Sequence, residues 1–380
     1  MRHSEDIMTP IKIEPIQELL IRALTSEGGE AIQYCNEWLK NIDLNNIDGG
    51  SYRLIPMLYK KLAISEGINI ESEIMGRLKG IYRYFFSMNN LVIHRFSKTL
   101  EILHLAGFKV MLLKGIALVL GGYYKEYSLR PMNDIDIFIE EDRVDEAIKL
   151  LNQNGWENFS SAPEFHEVGA LIKGEGYVLD IHFHLLRQCC WKDIDSDLWE
   201  YARIINFKGI SLYILDPADN IIQNCARGAQ WSSVPSLRWI IDVITIIDKH
   251  EGSVDWERLI DKAKKRLLTL TLFYTLRYIE SIASGRIPEW VLVELKNVPV
   301  SKIEKILFND LSKEHITFRI LWALHLTHTL HKNSFYRLVT FPWYIPSFFG
   351  LRNPFVFPGF LIKKILKKLG IIKSPGVQKK

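Results

Sequence analysis

The sequence predicts a mixed α/β (α+β) fold in which a small mixed sheet lies between N- and C-terminal helical regions. Apolar residues recur near the helical period over 16–105, strand-like alternation follows to about residue 190, and the helical period returns from Trp191. A chain of 380 residues is long enough to form two or three packed units. We therefore expect an N-terminal helical region over 1–105, an α/β core over 106–190, a C-terminal helical region over 191–335 and a tail over 336–380.

The predicted core alternates between strands and helices. FKVMLLKG at 108–115 is typical of a buried strand that ends at Gly115, and IALVLGGYY predicts a short helix directly after it. NDIDIFIE predicts a second strand, and an amphipathic helix in DRVDEAIKLLNQNG follows and ends at Gly155. Residues 164–186 predict two more strands around a turn at 173–176.

The C-terminal region predicts helices near 196–205, 216–230, 236–250, 255–283 and 301–331. Arg238 and Asp242 lie one turn apart in the third of these segments, a spacing that predicts an i, i+4 ion pair.

The net charge of +4 is unevenly divided along the chain. Residues 315–380 carry 11 Lys or Arg and no acid, whereas residues 1–314 carry 37 basic against 44 acidic residues. In the tail, GFLIKKILKKLGI groups four lysines on one helical side against large apolar residues. This pattern predicts peripheral contact with the inner face of an anionic membrane or with an acidic partner, and the alternative is a core-docking helix with a solvated side.

Cysteine usage and the first residues predict a cytoplasmic protein. The four cysteines show neither a disulfide framework nor C-x-x-C spacing, which favours a reducing compartment over structural zinc. MRHSEDIMTPIKIEP lacks the basic patch and apolar run of a secretory signal. The longest apolar stretches also fall short of the roughly 20 residues that a spanning helix needs.

Two aspartates share one face of the second predicted strand. Alternation in NDIDIFIE puts Asp134 and Asp136 on the face opposite the isoleucines, about 6.6 Å apart along the strand. Such a pair of like charges persists because water solvates it or because a cation binds between the carboxylates. In the strand VLDIHFHLL, Asp180 likewise faces away from the apolar side, next to His182 and His184. We interpret the three aspartates as ligands for Mg²⁺ or Mn²⁺.

Other interpretations of the same strands stay open. Asp134 and Asp136 could form a solvated face of an edge strand, and Asp180 could be an ordinary strand acid. Asp180, His182 and His184 could instead bind the metal of a hydrolase, although a zinc site needs further ligands.

Cations near the aspartates suggest phosphate binding. Lys114 and Gly115 end one strand and open a helix, where a glycine permits close backbone approach and free N–H groups meet phosphates. Arg130, four residues before Asp134, is a second candidate for binding phosphate, and the alternative for both cations is a surface charge.

The ordered motifs LLKGIAL, LRPMNDIDIFI and VLDIHFHL resemble the nucleotidyltransferase superfamily that includes DNA polymerase beta, in particular a bacterial family of uncharacterised nucleotidyltransferases. The resemblance extends over about 16–335, with a later SLRWIIDV stretch, and its specific signals lie between 110 and 185. It implies that Asp134 and Asp136 bind the metal ions and that Asp180 completes the site and activates an acceptor hydroxyl.

One departure concerns the glycines. The superfamily usually has Gly-Ser before the aspartate pair at a shorter spacing, whereas Gly115 here lies 19 residues ahead of Asp134 and is followed by Ile116. Gly121 and Gly122 fit the usual spacing better but fall at the end of the predicted helix. We prefer Gly115 because it lies at the strand-to-helix junction.

The expected reaction is transfer of a nucleoside monophosphate from an NTP, such as ATP, to an acceptor with release of pyrophosphate. His182 is a candidate for positioning the acceptor. A small molecule, peptide or protein is favoured over nucleic acid as acceptor, since no long basic, aromatic-studded sheet face is predicted. The alternatives are a non-catalytic binding protein on the same fold and the His/Asp metal-dependent hydrolase.

Overall fold

The computed structural model describes residues 11–65, 70–158, 166–172, 178–230, 236–311, 313, 317–330, 332–348 and 355. The N-terminal helices are α1 Pro15–Thr25, α2 Gly28–Asn41, α3 Gly49–Tyr52, α4 Ile55–Ile64 and α5 Ser72–Leu105. The central helices are α6 Lys114–Leu120, α7 Val144–Gln153 and α8 Leu198–Tyr201. The C-terminal helices are α9 Pro217–Gly228, α10 Arg238–Lys249, α11 Trp256–Arg266, α12 Thr269–Ile282, α13 Glu289–Asn297, α14 Lys302–Leu311, α15 Phe318–His328 and α16 Ser334–Phe348.

One mixed sheet confirms the predicted α/β fold. Its strands are β1 Met111–Leu113, β2 Asp134–Phe138, β3 Trp156–Asn158, β4 Glu167–Ile172, β5 Val178–His182, β6 Arg203–Phe207 and β7 Ile210–Ile214. They lie in the order β3-β4-β5-β2-β1-β7-β6. The pairs β2–β5 and β1–β7 are parallel and the other neighbours are antiparallel.

The sheet extends past the predicted boundary at 190. The predicted helix near 196–205 is only the single turn α8, and β6 and β7 follow it as a hairpin. Lys208 and Gly209 at the turn have φ values of 52° and 84°, the left-handed backbone that a two-residue hairpin turn requires. Because β7 pairs with β1, the unit predicted over 106–190 lacks two strands of its own sheet.

The long helix α5 packs one apolar stripe on the core. Its buried positions recur every three or four residues, as in Val92, Phe96, Leu100 and Leu103. The helix ends at Leu105, Gly107 follows with a φ of 74°, and the N–H of Phe108 donates to the carbonyl of Leu103. The same hydrophobic core joins the N-terminal helices, the sheet and helices α9 to α13.

Helices α9 and α10 pack tightly against each other beside the sheet. A Cβ atom at Gly228 would lie 2.2 Å from the ring of Trp239, so only glycine allows this approach. Almost every residue of α9 is buried, including the polar side chains of Gln223 and Asn224. These buried polar groups lie where α9 faces the end of β2.

A second, smaller core joins α14, α15 and α16 through Leu307, Leu324, Phe341 and Tyr344. Helix α16 also leaves large apolar side chains in solvent, including Phe335 and Trp343. None of the helices in the described part of the chain has the length and apolar character to cross a membrane. The predicted amphipathic helix at 359–371 lies outside the described residues.

Candidate active site

The site begins where β1 gives way to α6. All three residues of β1 are buried, and the antiparallel register pairs Leu113 with Asp136 on β2. Lys114 then adopts a φ of 52°, a left-handed conformation that costs a residue with a Cβ atom about 1–2 kcal/mol. The turn brings the Lys114 ammonium onto Oδ1 of Asp136 in a buried salt bridge. Strained backbone of this kind is common at functional sites.

The three predicted aspartates lie on one face of the sheet. Ile135 and Ile137 are fully buried on the opposite face of β2, so Asp134 and Asp136 share the face that α9 and α10 approach. In the parallel pairing of β2 with β5, Asp136 lies directly beside Asp180. Gly169 on β4 is the partner of Asp180 on its other side, so no bulky side chain stands there.

The electrostatics of the two neighbouring aspartates differ. Burial would raise the pKa of Asp136, but the ammonium of Lys114 and the hydrogen bond from His182 hold that pKa well below its usual range. For Asp180, burial and the charges of Asp136 and Glu167 raise the pKa to about 7. Asp136 is thus stabilised as a carboxylate by its cationic partner, whereas the neighbouring negative charges favour the protonated form of Asp180.

The donor set fits Mg²⁺ or Mn²⁺. Asp134, Asp136 and Asp180 offer only carboxylate oxygens, the ligands that hard divalent cations take. Within the described part of the chain, neither Asp134 nor Asp180 has a hydrogen bond or ion pair on its side chain. Among the described residues the oxygens of these three aspartates do not all lie within 4.8 Å of one another, so a shared cation would require their side chains to converge.

His182 lies against Asp136, whereas His184 turns away. His182 Nε2 is 3.0 Å from Asp136 Oδ1 and 3.2 Å from Glu167 Oε2. His184 Nδ1 lies 3.2 Å from Asp195, whose other oxygen binds Arg266 at 2.8 Å. The predicted alternative of one metal held by Asp180, His182 and His184 thus has no geometric support among the described residues, since His184 belongs to a separate ion-pair network.

A cavity separates Asp134 and Asp136 from helices α9 and α10, and Asp180 is not among its lining residues. On the sheet side it is lined by Lys114, Gly115, Arg130, Met132, Asp134 and Asp136. On the helix side it is lined by Gln223, Asn224, Arg227, Ser236, Arg238, Trp239 and Asp242. The helix side comes entirely from the region C-terminal to the predicted core, and none of its residues was among the predicted site residues.

Several polar atoms of the helix side have no partner within the described residues. Gln223 is 2% exposed, and neither its amide nitrogen nor its amide oxygen is hydrogen-bonded. Arg238 donates to the carbonyl of Pro131 through Nη1, but its buried Nε has no acceptor. Burial and the charges of Arg130 and Arg53 lower the pKa of Arg238 to about 9.

The ion pair predicted between Arg238 and Asp242 is wrong. Asp242 instead accepts from Arg130 Nε at 2.8 Å and from Arg130 Nη2 at 2.7 Å, and from the hydroxyl of Tyr124 at 2.6 Å. Arg130 binds the carboxylate of Asp242 through two nitrogens at once, whereas Arg238, on the same helix as Asp242, forms no such bidentate pair with it. Arg130, predicted to bind phosphate, thus lines the cavity while its donors are bound to Asp242 and to the carbonyl of Pro131.

Gly115, which the sequence analysis preferred over Gly121 and Gly122 as the glycine near bound phosphate, lies in the cavity wall. A Cβ atom there would lie 2.9 Å from Met132 Cγ and 3.3 Å from Arg130 Nη1, so glycine lets the segment before β2 approach α6. Gly121 and Gly122 lie beyond the other end of α6 and are not among the lining residues of this cavity.

Comparisons with known proteins identify the family. The family model described as uncharacterised nucleotidyltransferase matches residues 51–284. The solution structure of the antibiotic-resistance factor ANT(2'')-Ia aligns with 50% of this chain and 99% of its own, at 14% identity and a TM-score of 0.36. The crystal structure of an antigenic nucleotidyltransferase-like protein from Paracoccidioides brasiliensis aligns with 46% and 88%, at 15% identity and a TM-score of 0.30. No curated protein matches the chain. The match over 51–284 confirms the resemblance seen in the motifs, and the chain belongs to the family of uncharacterised nucleotidyltransferases.

Proposed function

We propose that the protein transfers a nucleoside monophosphate group from an NTP to an acceptor and releases pyrophosphate. The observation that carries this proposal is the parallel register of β2 and β5, which sets Asp136 beside Asp180 and leaves Asp134 on the same face. Asp134 and Asp136 line a cavity whose other side carries Arg227 and Arg238, and Asp180 lies next to Asp136 outside that lining. Membership of the nucleotidyltransferase family supports the reaction class.

Asp134 and Asp136 would hold Mg²⁺ or Mn²⁺, and Asp180 would complete the site and align or deprotonate the acceptor. A bound cation of this kind neutralises the phosphate oxygens and orients the phosphoryl group for in-line attack. Lys114 binds Asp136 and lines the cavity, so its ammonium would exchange between this carboxylate and a phosphate oxygen. His182, which binds Asp136, would fix the orientation of that carboxylate.

Arg227 and Arg238 would bind the phosphates from the side of the cavity opposite the aspartates. The unpaired Nε of Arg238 and the exposed guanidinium of Arg227 supply positive charge there. Arg130 is a weaker candidate than the sequence suggested, because Asp242 binds it through two nitrogens. Gln223 offers one amide donor and one acceptor, which suits the edge of a nucleobase or a carboxamide.

The acceptor would be a small molecule, a peptide or a protein side chain rather than nucleic acid. A basic sheet face with interleaved aromatic residues would mark a nucleic-acid acceptor. Here the sheet face beside the cavity carries three aspartates instead.

The test is incubation of the purified protein with each α-labelled NTP, Mg²⁺ and fractionated cell extract. We expect a labelled product that the Asp134→Asn, Asp136→Asn double variant forms at least ~100-fold more slowly, the scale on which loss of preorganised charge stabilisation acts. Asp145→Asn, an exposed position on α7, is the matched control and should retain full activity. Equal labelling by the wild type and the double variant would refute the roles given to these aspartates. NTP binding without any product would identify a non-catalytic binding protein.

A further inference from the structure

A cluster of two histidines and a glutamate lies beside the aspartates but outside the nucleotide cavity. One ligand atom from each of His166, Glu167 and His182 falls within 4.8 Å of the other two, and all three side chains are wholly or partly buried. Glu167 lies directly opposite His182 in the antiparallel pairing of β4 with β5. The carbonyl of His166 accepts hydrogen bonds from the N–H groups of Phe183 and His184, so strand pairing fixes the backbone of all three residues.

The spacing of the ligand atoms matches a four-coordinate metal site. Glu167 Oε2 lies 3.2 Å from His182 Nε2 and 3.4 Å from His166 Nε2. Ligand atoms bound at 2.0–2.1 Å to a tetrahedral ion lie about 3.3 Å apart. Two of the three separations therefore match the edge length of such a tetrahedron, and the third, between the two histidine nitrogens, is within 4.8 Å.

The groups facing His182 support the same conclusion. Its Nε2 contacts the two carboxylates of Asp136 and Glu167 and lies 3.3 Å from the Lys114 ammonium, while its buried Nδ1 has no partner in the described residues. One imidazole nitrogen cannot donate to two carboxylates and accept from an ammonium at once. A cation at Nε2 would satisfy the imidazole and Glu167 together.

We propose that His166, Glu167 and His182 bind a divalent first-row transition metal such as Zn²⁺, with a fourth position open. Two imidazole nitrogens and one carboxylate oxygen suit such an ion, whereas Mg²⁺ takes oxygen ligands. This site adjoins the one proposed at Asp134, Asp136 and Asp180, and a bound ion would replace the 3.0 Å contact of His182 Nε2 with Asp136 Oδ1. The bound ion would clamp β4 to β5 and add positive charge next to Asp136.

The test titrates chelator-treated, full-length protein with Co²⁺ in a large excess of Mg²⁺. The readouts are the visible absorption of bound Co²⁺ and the metal content after dialysis against Zn²⁺. We expect one transition-metal ion per chain. The variants His166→Ala, Glu167→Gln and His182→Ala should each weaken Co²⁺ binding by at least ~100-fold, since losing a ligand costs more than losing an outer partner of a ligand. Glu167→Gln preserves the size of the side chain and guards against unfolding.

Two controls distinguish this site from surface imidazoles and from the carboxylate site. His94→Ala removes an exposed imidazole on α5 and should leave Co²⁺ binding unchanged. Asp134→Asn should abolish nucleotidyl transfer while Co²⁺ binding persists, so failure of the proposed function and failure of this site are distinguishable. Absence of Co²⁺ binding to the wild type, or wild-type affinity in Glu167→Gln, would overturn the proposal.

Discussion

Replacing Asp242 by asparagine would test how the segment before β2 is anchored. Asp242 is 1% exposed and binds the buried guanidinium of Arg130 through both carboxylate oxygens. The hydroxyl of Tyr124 donates to the same carboxylate. The substitution keeps the size of the side chain but removes its charge, so the Arg130 guanidinium stays buried without a counter-ion.

The expected loss of stability follows from that burial. Removing one partner of a buried ion pair typically costs about 3–5 kcal/mol, because the remaining charge is desolvated and unpaired. Asp248 and Arg286 form a comparable pair at 2.7 Å in which the aspartate side chain is 49% exposed. An exposed pair contributes only about 0.2–1 kcal/mol. Asp248→Asn on the same helix is therefore the matched control.

Urea unfolding followed by circular dichroism and tryptophan fluorescence measures both changes. We expect Asp242→Asn to lower the free energy of unfolding by at least about 3 kcal/mol and Asp248→Asn to lower it by less than about 1 kcal/mol. The double variant Arg130→Met, Asp242→Leu should recover much of the loss, since no uncompensated charge is left. Equal, small losses in the two single variants would refute the reasoning.

Three further predictions concern other features. Lys114→Gly should be about 1 kcal/mol more stable than Lys114→Ala in urea unfolding, because the φ of 52° penalises only the residue with a Cβ atom; equal stability would contradict this. Burial lowers the pKa of His328 from 6.5 to about 4, so the unfolded chain binds the proton first as the pH falls. His328 should contribute about 2 kcal/mol to the loss of stability between pH 7 and 5, so the loss measured by urea unfolding should be smaller by that amount in His328→Gln; equal losses in the two proteins would contradict this. We also propose that the tail binds anionic membranes, so the full chain should sediment with anionic liposomes. Each lysine near an anionic surface contributes about 1 kcal/mol of binding free energy. The protein should therefore stay in the supernatant when glutamine replaces Lys363, Lys364, Lys367 and Lys368. Equal sedimentation of the two proteins would reject membrane contact through these lysines.

The aspartates on the strands could be placed from the sequence because strand alternation is a local signal. Isoleucines at 135 and 137 must face the core, which forces Asp134 and Asp136 to the other face whatever the neighbouring strands are. That Asp180 lies beside Asp136 depends on strand order and register, which the alternation of each strand does not fix. The resemblance to the nucleotidyltransferases supplied that pairing as an expectation.

The helix side of the cavity could not be placed in the same way. Helical periodicity shows that α9 and α10 each bury one face, but it does not say which element covers that face. Arg238 and Asp242 have ion-pair spacing, yet Asp242 binds Arg130, 112 residues away. A buried carboxylate selects the partner that offers two parallel N–H groups, and only the tertiary fold shows which arginine can do so.

The hairpin of β6 and β7 was missed for a related reason. The RIINF segment of β6 is apolar enough to continue the helical pattern of its surroundings, and its side chains are mostly exposed at the edge of the sheet. The signal that distinguishes a hairpin is Lys208-Gly209, where left-handed backbone joins two short runs of β-branched residues. This dipeptide therefore favours a core that ends beyond Ile214 rather than at residue 190.

The segment 127–132 is the element that ties the aspartates to the helix side of the cavity. Asn89 of α5 is fully buried; it donates to the carbonyl of Arg130 at 2.9 Å and accepts from the N–H of Met132 at 3.1 Å. Asp242 of α10 fixes the Arg130 side chain, and Arg238 of the same helix donates to the carbonyl of Pro131. The chain enters β2 only two residues after Met132, so α5 and α10 together set where Asp134 begins its strand. These contacts occupy Arg130, whereas the Nε of Arg238, which also lines the cavity, has no acceptor within the described residues.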